Sequence, residues 1–256
     1  MKLLAVGNSF SQDATTFLHQ TAAAQGVDLE VTNLYIGGCS LGRHYQNLLS
    51  GKSEYALQLN GQPTGEMVSL PDMLRAEKWD WIVTQQASHD SGWADTYEPF
   101  LSYLINAFYE MAPTAKLALQ ETWAYEITSN HACFPRYHND QLEMYDKLRL
   151  CYRMAAKNHT LPLIPCSDVI QRLRKKAPFC VQKGGGRSLC RDGFHMSYSY
   201  GRYLLACTWL AKLFDISVKE NVFTPESEEE TVPSLLQLIR ETVDEEMQEQ
   251  KLYEKI

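Results

Sequence analysis

The chain has 256 residues, 45% hydrophobic and 21% charged, with 14 Gly and 10 Pro, a composition that excludes disordered, collagen-like and coiled-coil architectures. No window approaches the roughly 18 uninterrupted apolar residues of a membrane span, and residues 1–6 meet Gly7 too early for a secretory signal, so the expected setting is cytoplasmic and away from membranes. The net charge of −7 resides within residues 226–256, where ten acids face three bases; the balanced remainder gives no electrostatic footprint for nucleic acid or an anionic membrane.

Short apolar runs bounded by turn residues alternate with segments of helical period along the chain. Residues 2–6 predict a first strand and 13–24 a first helix; a strand at 29–32 and a helix at 41–49 follow. Residues 54–70 alternate around Asn60-Gly61, a hairpin signal, and are expected to hang off the main sheet. Next come a strand at 81–84, a helix at 97–111, a strand at 116–120, a helix at 140–158, a strand at 161–164 and a helix at 167–175. Gly184-Gly185-Gly186, within 177–191, lacks the Lys-Ser/Thr of a phosphate loop and reads either as a loop beside a site or as a linker. Residues 198–214 set Tyr200, Tyr203, Leu204, Cys207, Leu210, Ala211 and Phe214 on one face, as a core-packing helix does. In the acidic tail Leu235, Leu236, Leu238, Ile239 and Val243 recur at helical spacing, so 226–256 is expected to be a helical extension with a solvated acidic face. The whole predicts an α/β protein: one domain over 1–256, a three-layer α/β/α sandwich on a five-stranded parallel sheet with a small hairpin insertion.

In such a sheet ligands bind beyond the carboxyl ends of the strands, so the residues that follow each strand are the ones to inspect. After the first strand stands Gly7-Asn8-Ser9-Phe10-Ser11. A serine at this turn points its hydroxyl into the crevice, while Ser11 or Asp13 are candidate helix caps. A serine nucleophile needs a base, and the base a partner that fixes its tautomer. Asp192-Gly193-Phe194-His195 supplies both, with Asp192 placed to accept from Nδ1 of His195 and leave Nε2 for a hydroxyl. The seven cysteines contain no Cys-x-x-Cys pair and read as reduced, small apolar residues. His131, Cys133 and His138 have no fixed helical offset to a carboxylate, so neither a metal nor another cofactor is expected.

Gly-Asn-Ser-Phe-Ser after the first strand and Asp-Gly-Phe-His-Met-Ser before the last core helix together resemble the SGNH, or GDSL-like, hydrolases, in order over most of residues 1–214. The resemblance implies a flavodoxin-like sheet, Ser9 as nucleophile, Asp192 as acidic member and His195 as general base. Val31-Thr32-Asn33-Leu34-Tyr35-Ile36-Gly37-Gly38 matches the family's second block, which makes Gly38 an oxyanion donor beside the Ser9 N–H. The third block departs from the family pattern: Gln85-Gln86-Ala87-Ser88-His89-Asp90 puts His89 where the family carries asparagine, leaving His89 and Gln86 as alternative donors. The same stretch looks like a variant of the Gln-Gly-Glu-Ser-Asn block of sialate O-acetylesterase-like members. Trp93 and Trp123, which follow the third and fourth strands, are candidates either to line the pocket or simply to cap the core.

The implied activity is a serine ester hydrolase that removes a small acyl group, chiefly acetyl, from a carbohydrate or other small ester. The alternatives are a catalytically weak carbohydrate-binding protein on the same fold and an acyltransferase using Ser9, His195 and Asp192. The expected partner is a small-molecule or carbohydrate ester; the oligomeric state is left open.

Overall fold

The computed structural model describes residues 1–181, 185–226 and 231–253. Seven strands form one sheet: β1 (Lys2–Gly7), β2 (Glu30–Tyr35), β3 (Tyr55–Leu59), β4 (Gln62–Val68), β5 (Trp81–Thr84), β6 (Lys116–Gln120) and β7 (Leu163–Ile164), in the order β4-β3-β2-β1-β5-β6-β7. Five of them, β2-β1-β5-β6-β7, are parallel, as expected. The expected insertion does not hang off this sheet. β3 pairs antiparallel with β2 and β4 with β3, so the hairpin extends the sheet to seven strands. The reason is an unpaired edge: β2 would otherwise leave one row of backbone groups without partners. β4 becomes the outer edge, largely exposed and interrupted by Pro63.

Leu3, Leu4, Ala5 and Val6 of β1 are all buried, as an apolar central strand covered on both faces requires. Right-handed crossovers put helices on both sides. Moving from β1 to β2 places α1 (Ser9–Thr15) and α2 (Leu18–Ala23) on one face, where α8 (Tyr200–Phe214) packs against both and is joined by α7 (Cys166–Leu173) and α9 (Pro233–Tyr253). Moving the other way places α3 (Leu41–Ser50), α4 (Leu70–Ala76), α5 (Phe100–Met111) and α6 (Gln141–His159) on the second face. The helix expected at 13–24 is therefore two shorter ones. Thr15 and Thr16 donate their hydroxyls back to the Ser11 and Gln12 carbonyls, and the chain bends at Phe17.

The acidic tail is helical over α9, whose Leu236, Ile239 and Val243 are buried. Its acidic face is only partly solvated, because Glu246 pairs with Arg172 and Glu245 with Lys176 of the neighbouring segment. Glu228, Glu229, Glu230 and Glu254 of the tail, and Gly184 of the triple glycine, lie outside the described residues. All seven cysteines are free, five of them buried. Among the described residues no helix is long and apolar enough to cross a membrane.

Candidate active site

Sheet register delivers three chain turns to one level. Gly7 stands opposite Tyr35 and Val6 opposite Thr84, so the residues after β1, β2 and β5 leave the sheet side by side at its carboxyl edge. α1 starts at once, with Ser9 as its first residue and Asn8 as the cap, replacing the caps expected at Ser11 or Asp13. The Asn8 side chain accepts the Phe10 N–H at 3.0 Å. Ser9, at the first helical position, has no intrahelical acceptor for its own N–H, so it presents both that group and its hydroxyl to the crevice. Buried Asn8 also fastens the neighbouring turns. Its Oδ1 accepts from Gln85 Nε2 at 2.7 Å, and its Nδ2 donates to the Cys39 carbonyl at 3.0 Å, which anchors the exposed turn that contains Gly38.

The second half of the site is a narrow turn closed by the Arg191 N–H donating to the His195 carbonyl at 2.9 Å and by pairing of Cys190 with Met196. Gly193 sits at its apex with φ +86°, and a Cβ there would lie 2.8 Å from Ser129 Cα, so no other residue fits. Asp192 Oδ1 accepts the backbone N–H of His195 at 2.7 Å, and Oδ2 lies 2.7 Å from His195 Nδ1. That carboxylate fixes the imidazole proton on Nδ1 and leaves Nε2 as acceptor, 2.8 Å from Ser9 Oγ. Burial pushes the Asp192 carboxyl up, but the hydrogen bonds from the His195 ring and from the His195 and Phe194 amides outweigh it and hold the group below its usual range. Ser9, His195 and Asp192, expected together, form one hydrogen-bonded chain.

Two residues hold these halves in register. Asp13 of α1 is fully buried. Its Oδ1 accepts from Arg191 Nη1 at 2.9 Å and Arg202 Nε at 2.8 Å, and its Oδ2 accepts from the Met196 N–H at 2.9 Å. The helix that carries Ser9 is thereby bolted to the turn that carries His195. Trp123 is also fully buried, stacked on Phe10 at 4.0 Å, and donates its indole N–H to the Phe194 carbonyl at 2.7 Å. It supports the turn from beneath and does not line the pocket, so of the two expectations for Trp123 the core role is the one observed. Asp13 was legible only as a helix cap, since its partners are 178 to 189 residues away in sequence.

Gln86 is not available as an oxyanion donor. Its Oε1 accepts from the Leu41 and Ala87 amides, and its Nε2 donates to the Thr96 carbonyl at 2.8 Å, so the whole amide is committed to joining the turn after β5 to α3. His89 is held less tightly: its carbonyl accepts from Arg136 and Tyr137, its ring Nε2 lies 3.5 Å from the Asp90 carboxylate, and its imidazole faces His131 at 6.3 Å. Trp93, the other expected pocket residue, is engaged by Arg136 and Lys147, each 5.0 Å from its ring centre, and packs beside Tyr137 as part of the support for this turn.

Residues 2–239 match a family described as a domain of unknown function, DUF4886. The chain belongs to that family. A DUF4886 family protein from Bacteroides uniformis ATCC 8492, known from a crystal structure, is 33% identical, with 96% of this chain and 94% of that one covered at a TM-score of 0.87. More distant likenesses show that this DUF4886 protein has the fold of the SGNH hydrolases. A candidate SGNH hydrolase from Slackia heliotrinireducens is 21% identical, covering 83% of this chain and 98% of that one at a TM-score of 0.57. A catalytic mutant of Axe2, an acetylxylan esterase from Geobacillus stearothermophilus, is 15% identical, covering 83% and 93% at a TM-score of 0.53. No curated protein matches the chain by sequence.

Proposed function

We propose that this DUF4886 protein is a serine ester hydrolase that removes a small acyl group, chiefly acetyl, from a carbohydrate or another small polar ester. One observation carries the reading: Ser9 Oγ lies 2.8 Å from His195 Nε2, whose Nδ1 lies 2.7 Å from the Asp192 carboxylate. In this reading His195 takes the hydroxyl proton as Ser9 Oγ attacks the ester carbonyl, and Asp192 stabilises the imidazolium. The tetrahedral oxyanion is met by the N–H groups of Ser9 and Gly38, with the His89 ring in the place the SGNH fold gives to asparagine. His195 returns the proton to the departing alkoxide, which leaves as the alcohol. Water then repeats the sequence on the acyl-serine: its proton passes to His195, its oxygen bonds to the acyl carbon, and the carboxylic acid departs as Ser9 Oγ recovers a proton. The small-acyl preference is supported by the fold shared with an acetylxylan esterase.

Hydrolysis of p-nitrophenyl acetate and labelling by a fluorophosphonate probe test the assignment. Ser9→Ala is expected to reduce both to background. A Ser9→Ala protein that retains full hydrolysis refutes it.

A further inference from the structure

The chain between β6 and α6 brings another imidazole to the rim of the site. His131 lies edge-on to Phe194 with ring centres 4.7 Å apart, and Phe194 lies 4.2 Å from His195. Tyr125 flanks His131 at 4.6 Å, and His89 faces it with its plane tilted by 20°. His131 therefore stands one aromatic ring from the proposed base, on the side where the turn after β5 carries His89.

The backbone sets its tautomer. His131 Nδ1 accepts the Cys133 N–H at 3.1 Å, so in the neutral ring the proton resides on Nε2. The protein barely uses that proton. Tyr125 Oη is 3.5 Å from Nε2, at the outer limit of a hydrogen bond, and Tyr125 Oη has a closer partner in Ser88 Oγ at 2.9 Å. Burial, reinforced by the neighbouring His89 and His195 rings and only partly opposed by Asp192, holds the His131 pKa below its ordinary value, so the ring is neutral at pH 7. The result is an uncharged N–H donor one aromatic ring away from His195.

We propose that His131 is a specificity residue of this site: its Nε2–H binds a hydroxyl or ring oxygen of the substrate beyond the reacting ester. The site then favours acetates of polyhydroxylated alcohols over acetates of plain alkyl or aryl alcohols. The proposal rests on the reading of Ser9 as nucleophile. A neutral donor selects for an oxygen acceptor without demanding an anion, and a bound substrate without that oxygen shields the donor from water and leaves it unpaired.

The test compares methyl 6-O-acetyl-glucopyranoside with p-nitrophenyl acetate. His131→Phe keeps a ring against Phe194 and Tyr125 but removes the donor. It is expected to lower kcat/KM for the sugar acetate about 3- to 10-fold, mostly through KM, the worth of one neutral hydrogen bond, while p-nitrophenyl acetate changes less than about twofold. His131→Gln, which restores an N–H at a similar reach, is expected to recover part of the loss. In the Ser9→Ala background, adding His131→Phe is expected to weaken sugar-acetate binding by the same factor in calorimetry. An equal loss with both substrates overturns the proposal, because His131 then acts only through the packing of His195. No loss with either, or turnover of p-nitrophenyl acetate without binding or turnover of the sugar acetate, overturns it too. In those cases fluorophosphonate labelling of Ser9 persists and the esterase reading stands; absence of labelling together with absence of hydrolysis overturns both.

Discussion

Replacing Asp13 by asparagine tests whether the Ser9 helix and the His195 turn are held together as described. The change preserves shape but removes the charge that faces Arg191 and Arg202, whose side chains are only 20% and 16% exposed. The new amide would also turn a donor toward donors. Removing one partner of a buried ion pair costs about 3–5 kcal/mol. Because both guanidinium groups keep some access to water, the lower figure, about 3 kcal/mol, is expected. For a chain of this size each kcal/mol moves Tm by about 2–4 °C, so Asp13→Asn should melt roughly 6–12 °C below the wild type. Oδ2 also holds the Met196 N–H, next to His195 in the chain, so the turn loses its footing even in molecules that stay folded. A displacement of about 1 Å between nucleophile and base reduces rate about 100-fold, and p-nitrophenyl acetate hydrolysis well below the melting range should fall by that order. If stranded cations dominate the cost, adding Arg202→Met to Asp13→Asn should return at least about 1 kcal/mol in urea denaturation. A melting shift below 2 °C, or strictly additive losses in the double variant, would refute the reasoning.

Two further outcomes follow from buried groups. Trp123→Phe keeps the stack on Phe10 but strips the Phe194 carbonyl of its donor; stability should drop by about 1–2 kcal/mol and kcat should fall several-fold at constant KM, whereas an unchanged kcat would show that the indole N–H does not position His195. Glu121 is fully buried, and burial, aided by the nearby Asp168 charge and only partly opposed by Arg153, the Asp168 amide and Arg149, raises its pKa well above the ordinary 4.5. The unfolded chain ionises it first, so its contribution to stability is intact below pH 4.5 and is lost as pH rises toward the folded value. Glu121→Gln, isosteric with the protonated acid, should match the wild type in urea melts at pH 4 and exceed it at pH 8; parallel pH profiles would contradict this account.

The parallel core and the Asp192–His195 pair were legible because each is written locally, while the meeting of Ser9 with His195, 186 residues away, was expected from the family resemblance and the carboxyl edge of the sheet. Apolar runs end in turn residues, and an Asp-x-x-His block closes on itself through its own backbone. What escaped is non-local. A hairpin signal specifies a turn but not the strand its free side will meet, so the pairing of β3 with β2 could not be read from Asn60-Gly61. Nothing near Asp13 announces arginines at 191 and 202. The choice between Gln86 and His89 was open by spacing; packing commits the Gln86 amide to Leu41 and Thr96, contacts that depend on distant segments. His131 showed as one of three unconnected candidate ligands; its place beside Phe194 depends on the path of the whole chain between β6 and α6. α4 was missed although Ser69 caps it and Pro71 stands in its first turn, a start signal obscured by the shortness of the helix.

The outer edge of the sheet bears on how this protein behaves at high concentration. An exposed strand invites another molecule to continue it, and β4 would offer such a template were it uniform. Pro63 lacks an amide hydrogen, Gly65 turns the backbone out of the extended range at φ +83°, and Glu66 adds like charge where two copies would meet. The hairpin that completes the sheet thus ends in a strand poorly suited to recruiting a neighbour, which disfavours growth of the sheet into ribbons.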